Sequence, residues 1–302
     1  MKIGYVGLGK MGSNMVKRLL EKEYEVVVYD KDKTKVEALD KKGAEGSDSL
    51  EDMVSKLSPS RLVWVMVPHN FSSEVIRNLA EFLQKGDVIV DGGNSFYKDT
   101  VENARFLEDR GVHMLDAGVS GGPSGARNGA SMMIGGDKKV YEKYEELFND
   151  LTVSDGYGRV GRSGAGHFVK MVHNGIEYGM MQAIAEGFDV MNSSEFDLPL
   201  EKIARIYNNG AVVSSNLMKH MKSAFDDFGK ELDGVSGKAG ESGEGRWTVE
   251  KAHEEGVFDR VIHSALNARE ASRMSPNFQG KVINALRNKF GGHSSEDPEV
   301  NL

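Results

Sequence analysis

The feature that most constrains this chain lies in its first thirty residues. An apolar run, Lys2–Val6, leads directly into Gly7-Leu8-Gly9-Lys10-Met11-Gly12 and then into the helix-period stretch Asn14–Lys22. Glycines at that spacing serve a strand–turn–helix unit. The first permits the tight turn, the second lets backbone approach a pyrophosphate, and the third lets helix pack on strand. The helix N-terminus then offers N–H groups to negative charge. A second apolar run, Glu25–Tyr29, ends in Asp30, a carboxylate that suits ribose hydroxyls and repels a 2′-phosphate. The expected ligand is therefore a dinucleotide, NAD ahead of NADP, held by Gly7, Leu8, Gly9, Lys10, Met11, Gly12 and Asp30. Lys31 and Lys33 are the residues that favour the 2′-phosphate.

Further apolar runs follow at Leu62–Val67, Asp87–Asp91, His113–Ala117 and Ala130–Ile134, with amphipathic stretches such as Val75–Leu83 between them. Strands alternating with helices predict an α/β Rossmann-type, doubly wound and largely parallel sheet covered on both faces. Ligands in such sheets bind beyond the strands' carboxyl ends, which places Val67, Pro68 and Asn94 beside the cofactor. After about residue 162 the character changes. Val169–Asn192, Leu200–Asn208, Asn216–Phe225, Val249–Glu255, Phe258–Met274 and Gly280–Arg287 all read as helices. The expectation is a cofactor domain over 1–162 and an all-helical domain for substrate and oligomerisation over 163–302, joined by a glycine-punctuated hinge at Gly161, Gly164 and Gly166. Gly229–Arg246 reads as a long glycine-rich loop and Gly291–Leu302 as a polar tail.

Composition removes several classes. A net charge of −8 disfavours nucleic acid or an anionic membrane as the main partner, yet leaves room for a small anionic substrate. With no cysteine there are no disulfides, thiolate metal sites or cysteine nucleophiles. No run reaches membrane-spanning length, and the N-terminus is too short and glycine-rich for a signal peptide, so a cytoplasmic protein is expected.

Chemistry concentrates in one helical segment. Lys170, His173, Asn174, Glu177 and Tyr178 stand at i, i+3, i+4, i+7 and i+8 and share a face. That stripe mixes acid, base and neutral donors, unlike the repeated Glu–Lys pairs of a solvated face. Gly175 and Gly179 interrupt the same helix at a cost of about 1 kcal/mol each relative to alanine, which predicts close approach of something. Upstream, Ser120-Gly121-Gly122 follows a strand and offers a hydroxyl and backbone N–H groups to a carboxylate. Asp91-Gly92-Gly93-Asn94 forms another strand-end turn.

With these residues in place, the chain resembles the β-hydroxyacid dehydrogenase superfamily and, within it, the short, roughly 300-residue type of 6-phosphogluconate dehydrogenase. The resemblance rests on Gly7–Gly12, Asp91–Asn94, Gly118–Gly122, Lys170–Tyr178, Gly245-Arg246-Trp247-Thr248, Arg269 and Phe290-Gly291-Gly292-His293. It implies oxidative decarboxylation of a phosphorylated sugar acid, 6-phosphogluconate, to ribulose 5-phosphate and CO₂ in the pentose phosphate pathway, without a metal. It also implies roles. Lys170 is the base and Glu177 the acid, while Ser120, Gly121 and Gly122 hold the carboxylate and Asn94, His173 and Asn174 the hydroxyls. Tyr178, Arg269, Arg287 and His293 hold phosphate. In longer members the last pair comes from a neighbouring subunit, so a homodimer or homotetramer is expected. One departure stands out: Glu241-Ser242-Gly243-Glu244 carries serine and glutamate where the long form has lysine and threonine, and carboxylates there would repel phosphate. Two further readings stay open on sequence. One is a sibling acting on another 3-hydroxy acid, such as 3-hydroxyisobutyrate. The other is a silent NAD-binding regulator.

Overall fold

A computed structural model of the chain describes residues 1–296. In chain order the first part comprises β1 (Lys2–Val6), α1 (Lys10–Glu21), β2 (Glu25–Tyr29), α2 (Lys33–Asp40), β3 (Glu45–Gly46), α3 (Leu50–Ser55), β4 (Leu62–Val65) and α4 (His69–Ala80). It continues through β5 (Val88–Asp91), α5 (Tyr97–Glu108), β6 (His113–Ser120), α6 (Gly122–Asn128), β7 (Ala130–Gly136), α7 (Lys138–Lys143), α8 (Glu145–Leu151) and β8 (Thr152–Gly161). The helices α9 (Ala165–Asn192), α10 (Leu200–Tyr207), α11 (Asn216–Phe228), α12 (Glu244–Glu254), α13 (Arg260–Met274) and α14 (Phe278–Gly291) complete it. Two compact units result, Met1–Lys170 and Met171 onward.

The first unit is a sheet in the order β3-β2-β1-β4-β5-β6-β7-β8, parallel throughout except for the antiparallel β6–β7 pair. Every residue of β4 and β5 is buried, as expected for strands covered on both faces. One core packs Ile3, Tyr5, Trp64 and Phe148 with α1 and α8; the other packs Val6, Val63, Val65 and Ile89 with α3, α4 and α5. Chain order reverses between β1 and β4, the position where such sheets open a ligand crevice. Beyond Ala117, where the apolar pattern stops, β6 continues to Ser120 because β7 pairs with it residue by residue. The edge strand β8 is half exposed and holds three glycines, so it has no apolar alternation to read.

The second unit is helical. Met181, Ala185 and Phe188 of α9 pack with α10, α11 and α14 through residues such as Leu200, Met221, Phe225 and Ile283. Side-chain oxygens of Ser215 and Asn277 cap α11 and α14. The glycine-rich stretch is turn as far as Gly234 and irregular from there to Gly243, but Glu244–Arg246 already form the first turn of α12. The tail expected over Gly291–Leu302 includes residues 297–302, which lie outside the described residues.

Candidate active site

In the first unit the Gly7–Gly12 turn is shaped by contact with its own backbone. Gly7 sits at φ +94, and a Cβ there would lie 2.3 Å from the Met66 carbonyl oxygen. A Cβ on Gly12 would lie 2.0 Å from the Gly7 oxygen, whereas one on Gly9 would meet nothing within 4 Å. The second glycine thus leaves open the space a pyrophosphate needs. Gly9 is also the N-cap of α1 and brings no side-chain cap, so the first N–H groups of that helix face the same opening. Asp30, at the end of β2, accepts from the Leu8 N–H at 2.7 Å and the Asp32 N–H at 2.9 Å. It pins the turn while each carboxylate oxygen keeps a second lone pair. These residues fit a dinucleotide.

The neighbouring strand ends supply the rest of that edge. Val67 lies against Gly7 and Pro68 caps α4. Asn94 stands in the turn after β5, which Asp91 holds by accepting from the Gly93 N–H at 3.0 Å and from the Ser72 and Ser95 hydroxyls at 2.9 and 2.8 Å. Because β1, β4 and β5 are adjacent, the glycine turn, Val67-Pro68 and Asn94 share one carboxyl edge. Ser120 ends β6, and Gly121, at φ +117, turns the chain so that Gly122 opens α6.

Two residues that the sequence did not mark as functional set the start of α9. Asp116 is fully buried and accepts from the Gly164 N–H at 2.7 Å and the His167 N–H at 2.9 Å. His167 Nδ1 lies 2.7 Å from the Thr100 hydroxyl. One turn later comes Lys170, only 8% exposed, its Cβ 2.4 Å from where a side chain on Gly118 would begin. Gly118 is the clue a sequence offers here, since only the smallest residue lets the lysine lie this close to β6.

In the second unit His173 Nδ1 lies 3.0 Å from Asn174 Oδ1 and 3.9 Å from Glu177 Oε2, so three of the expected side chains meet. Tyr178 is buried beneath Arg269, whose guanidinium lies 3.5 Å from the ring centroid. Arg269 is 1% exposed and donates to the Gly240 carbonyl at 2.8 Å. Burial pushes the Tyr178 phenol above its ordinary pKa and pulls the Arg269 guanidinium below its own. The Tyr178 hydroxyl accepts from the Ser242 N–H at 3.3 Å, and Arg287 donates to Ser242 Oγ at 3.3 Å. Arg287 is 4% exposed and reaches this group from within its own chain. His293 follows Gly292, the C-cap of α14, and its carbonyl accepts from Asn288 at 2.8 Å.

For the Glu241–Glu244 loop the expectation changes only in part, since Glu244, the glutamate at the threonine position, stays buried in the first turn of α12. The Glu241 carboxylate is fully buried, but Arg246 at 2.8 Å and Arg273 at 3.1 Å take up its charge, so it is not bare negative charge in the loop. The approach that Gly175 and Gly179 permit is made by protein. Thr248 of α12 would lie 2.6 Å from a Cβ on Gly175, and Val261 of α13 would lie 3.2 Å from one on Gly179. Thr248 also donates to the Met171 carbonyl at 2.9 Å, and Gly245 abuts the Tyr178 ring.

Comparison with known proteins decides the family. The model of the NAD-binding domain of 6-phosphogluconate dehydrogenase matches residues 2–158, and that of its C-terminal domain matches residues 166–298. The chain belongs to the 6-phosphogluconate dehydrogenase family. A Bacillus subtilis protein is 47% identical over 98% of this chain and 99% of its own length. The NAD⁺-dependent, decarboxylating 6-phosphogluconate dehydrogenase of Haloferax volcanii is 40% identical over 97% of this chain and 98% of itself. Among solved structures, the Plasmodium falciparum 6-phosphogluconate dehydrogenase superposes with a TM-score of 0.82 at 28% identity, covering 95% of this chain and 70% of that one. A Mycobacterium tuberculosis 3-hydroxyisobutyrate dehydrogenase, 21% identical with a TM-score of 0.71, covers 95% of this chain and 99% of that one and shares the fold.

Proposed function

We propose that the protein is an NAD-dependent oxidoreductase that decarboxylates 6-phosphogluconate to ribulose 5-phosphate and CO₂. The observation that carries this reading is Lys170, buried against Gly118 on the same helix that bears Glu177 and Tyr178. NAD, when bound, accepts the hydride from C3 of the substrate. Lys170 takes the proton of the 3-hydroxyl, then donates to the 3-keto oxygen as the C1–C2 bond breaks and its electron pair passes into the enediol. Glu177 protonates the carbon that CO₂ has left.

The other expected residues hold the substrate still. Ser120 and the N–H groups of Gly121 and Gly122 receive the carboxylate, and Asn94, His173 and Asn174 receive the hydroxyls. Tyr178, Arg269, Arg287 and His293 take the phosphate, for which planar guanidinium groups are suited. Gly7–Gly12 with Asp30, Val67, Pro68 and Asn94 hold the cofactor, and Asp30 favours a free 2′-hydroxyl. Residues 1–162 serve the cofactor, and residues 163–302 serve the substrate and self-association as a homodimer or homotetramer. The described residues include no helix long and apolar enough to cross a membrane, which accords with work in the cytoplasm on a small anion.

The test is direct. Purified protein with NAD and 6-phosphogluconate yields NADH and CO₂, and far less with NADP or with 3-hydroxyisobutyrate; no NADH and no CO₂ overturns the reading. Lys170→Met abolishes turnover and keeps NAD affinity, whereas a fully active variant removes lysine from the base role.

A further inference from the structure

A second cluster lies outside the residues assigned to the reaction. His253 stands in the last turn of α12, Asp259 at the N-cap of α13, and His263 one turn into α13. Asp259 Oδ2 is 3.2 Å from His253 Nε2 and 3.9 Å from His263 Nδ1, and one donor atom from each of the three lies within 4.8 Å of the others. An aspartate at this position ordinarily accepts N–H bonds from its own helix. Asp259 makes no such cap, and its Oδ2 is shielded from solvent without an aligned hydrogen bond. The 3.2 Å approach of His253 is therefore a close contact off the N–H line. Two ligands of one tetrahedral ion stand in that relation, since metal bonds of about 2.0–2.1 Å give a ligand–ligand edge of about 3.3 Å. The two imidazoles are tilted by 56° with centroids 5.5 Å apart, so they converge without stacking.

We propose that His253, Asp259 and His263 bind a divalent transition-metal ion of the zinc class, with the fourth position open to water. Two imidazole nitrogens and one carboxylate suit Zn²⁺ or Ni²⁺ and not Mg²⁺, which prefers an all-oxygen shell. His253 and His263 are each partly exposed, which gives the ion a path in. Bound there, it ties the end of α12 to the start of α13. Those helices hold Tyr178 from two sides, Gly245 against its ring and Arg269 over its face. The ion is a staple for that hairpin and takes no part in hydride or proton transfer.

Calorimetric titration of the full chain with Zn²⁺ alone, with Mg²⁺ as the control, tests this. One Zn²⁺ per chain is expected, with Tm raised by about 4 °C at a hundredfold excess over Kd. Co²⁺ in its place gives the visible bands of a four-coordinate site. His253→Ala and His263→Ala each weaken uptake about tenfold or more and leave the helical circular dichroism of the metal-free chain unchanged, which shows that the variants fold. Absence of saturable uptake, uptake that survives both substitutions together, or Mg²⁺ binding as tightly as Zn²⁺ overturns the proposal.

Discussion

Arg269 and Tyr178 act as a pair, because burial makes each depend on the other. A guanidinium removed from water keeps its charge at a cost, which the ring face and the Gly240 carbonyl offset. Lysine cannot reproduce a flat stack with a lateral hydrogen bond. Arg269→Lys is expected to lower unfolding stability by about 2 kcal/mol, read from the urea midpoint, and to raise KM for the phosphorylated substrate more than it lowers kcat. An unchanged KM would remove Arg269 from phosphate binding. Tyr178 carries a pH signature. Its phenol, held protonated by burial, keeps its proton at pH values where the unfolded residue, with a pKa of about 10, releases it. Its contribution to stability is complete below about pH 10 and declines as pH rises through the folded value. Tyr178→Phe should therefore flatten the fall in stability that sets in above about pH 10. Tyr5, Tyr24 and Tyr141, whose phenols are also raised, persist in both proteins, so the difference between them isolates Tyr178.

At the scale of elements, α9 is positioned from its N-terminus by Asp116 and from its side by Gly118. An added methyl at Gly118 would fall 2.4 Å from Lys170 Cβ, and neither strand nor helix backbone can give way cheaply. Gly118→Ala should therefore reduce kcat about tenfold or more while NAD affinity stays within about twofold, checked by steady-state kinetics and fluorescence titration. Equal losses in both would show a general disturbance of the first unit instead.

The same elements show what a sequence makes legible. β1, β2, β4, β5 and the helices from α9 to α14 announce themselves because burial on a fixed face leaves a period of two or 3.6, or a continuous apolar run. β3 has two residues, and β8 is a half-exposed edge rich in glycine, so neither leaves such a trace. The candidate site divides in the same way. Lys170 and its neighbours share a helical face that spacing alone reveals. Asp116 and His167 act through backbone N–H and hydroxyl partners 48 to 67 residues away, and no local pattern encodes that reach. Gly175 and Gly179 are legible only in part. Their cost to the helix is visible in sequence, but the Thr248 and Val261 side chains that justify it come from other helices.

For the whole molecule, charge and apolar surface are distributed unequally between function and assembly. The chain carries −8 overall, so attraction of an anionic substrate has to be local, and in the proposed site it falls to the buried guanidinium groups of Arg269 and Arg287. Apolar exposure is concentrated in the second unit. Ile176 and Met180 on α9 and Val261 on α13 are all exposed, and α9 and α13 approach each other where Gly179 faces Val261. Contiguous exposed apolar surface favours association, and a second copy related by a twofold axis would cover it with the same residues on both sides. Sedimentation velocity of the wild type is therefore expected to show a dimer or larger species at micromolar concentration. Val261→Asp places a charge at the centre of that surface, where self-association would bring two carboxylates together and bury them. The variant should sediment as a folded monomer and retain NAD binding, because the glycine turn and Asp30 belong to the other unit. A variant that sediments as the wild type does would remove this surface from self-association.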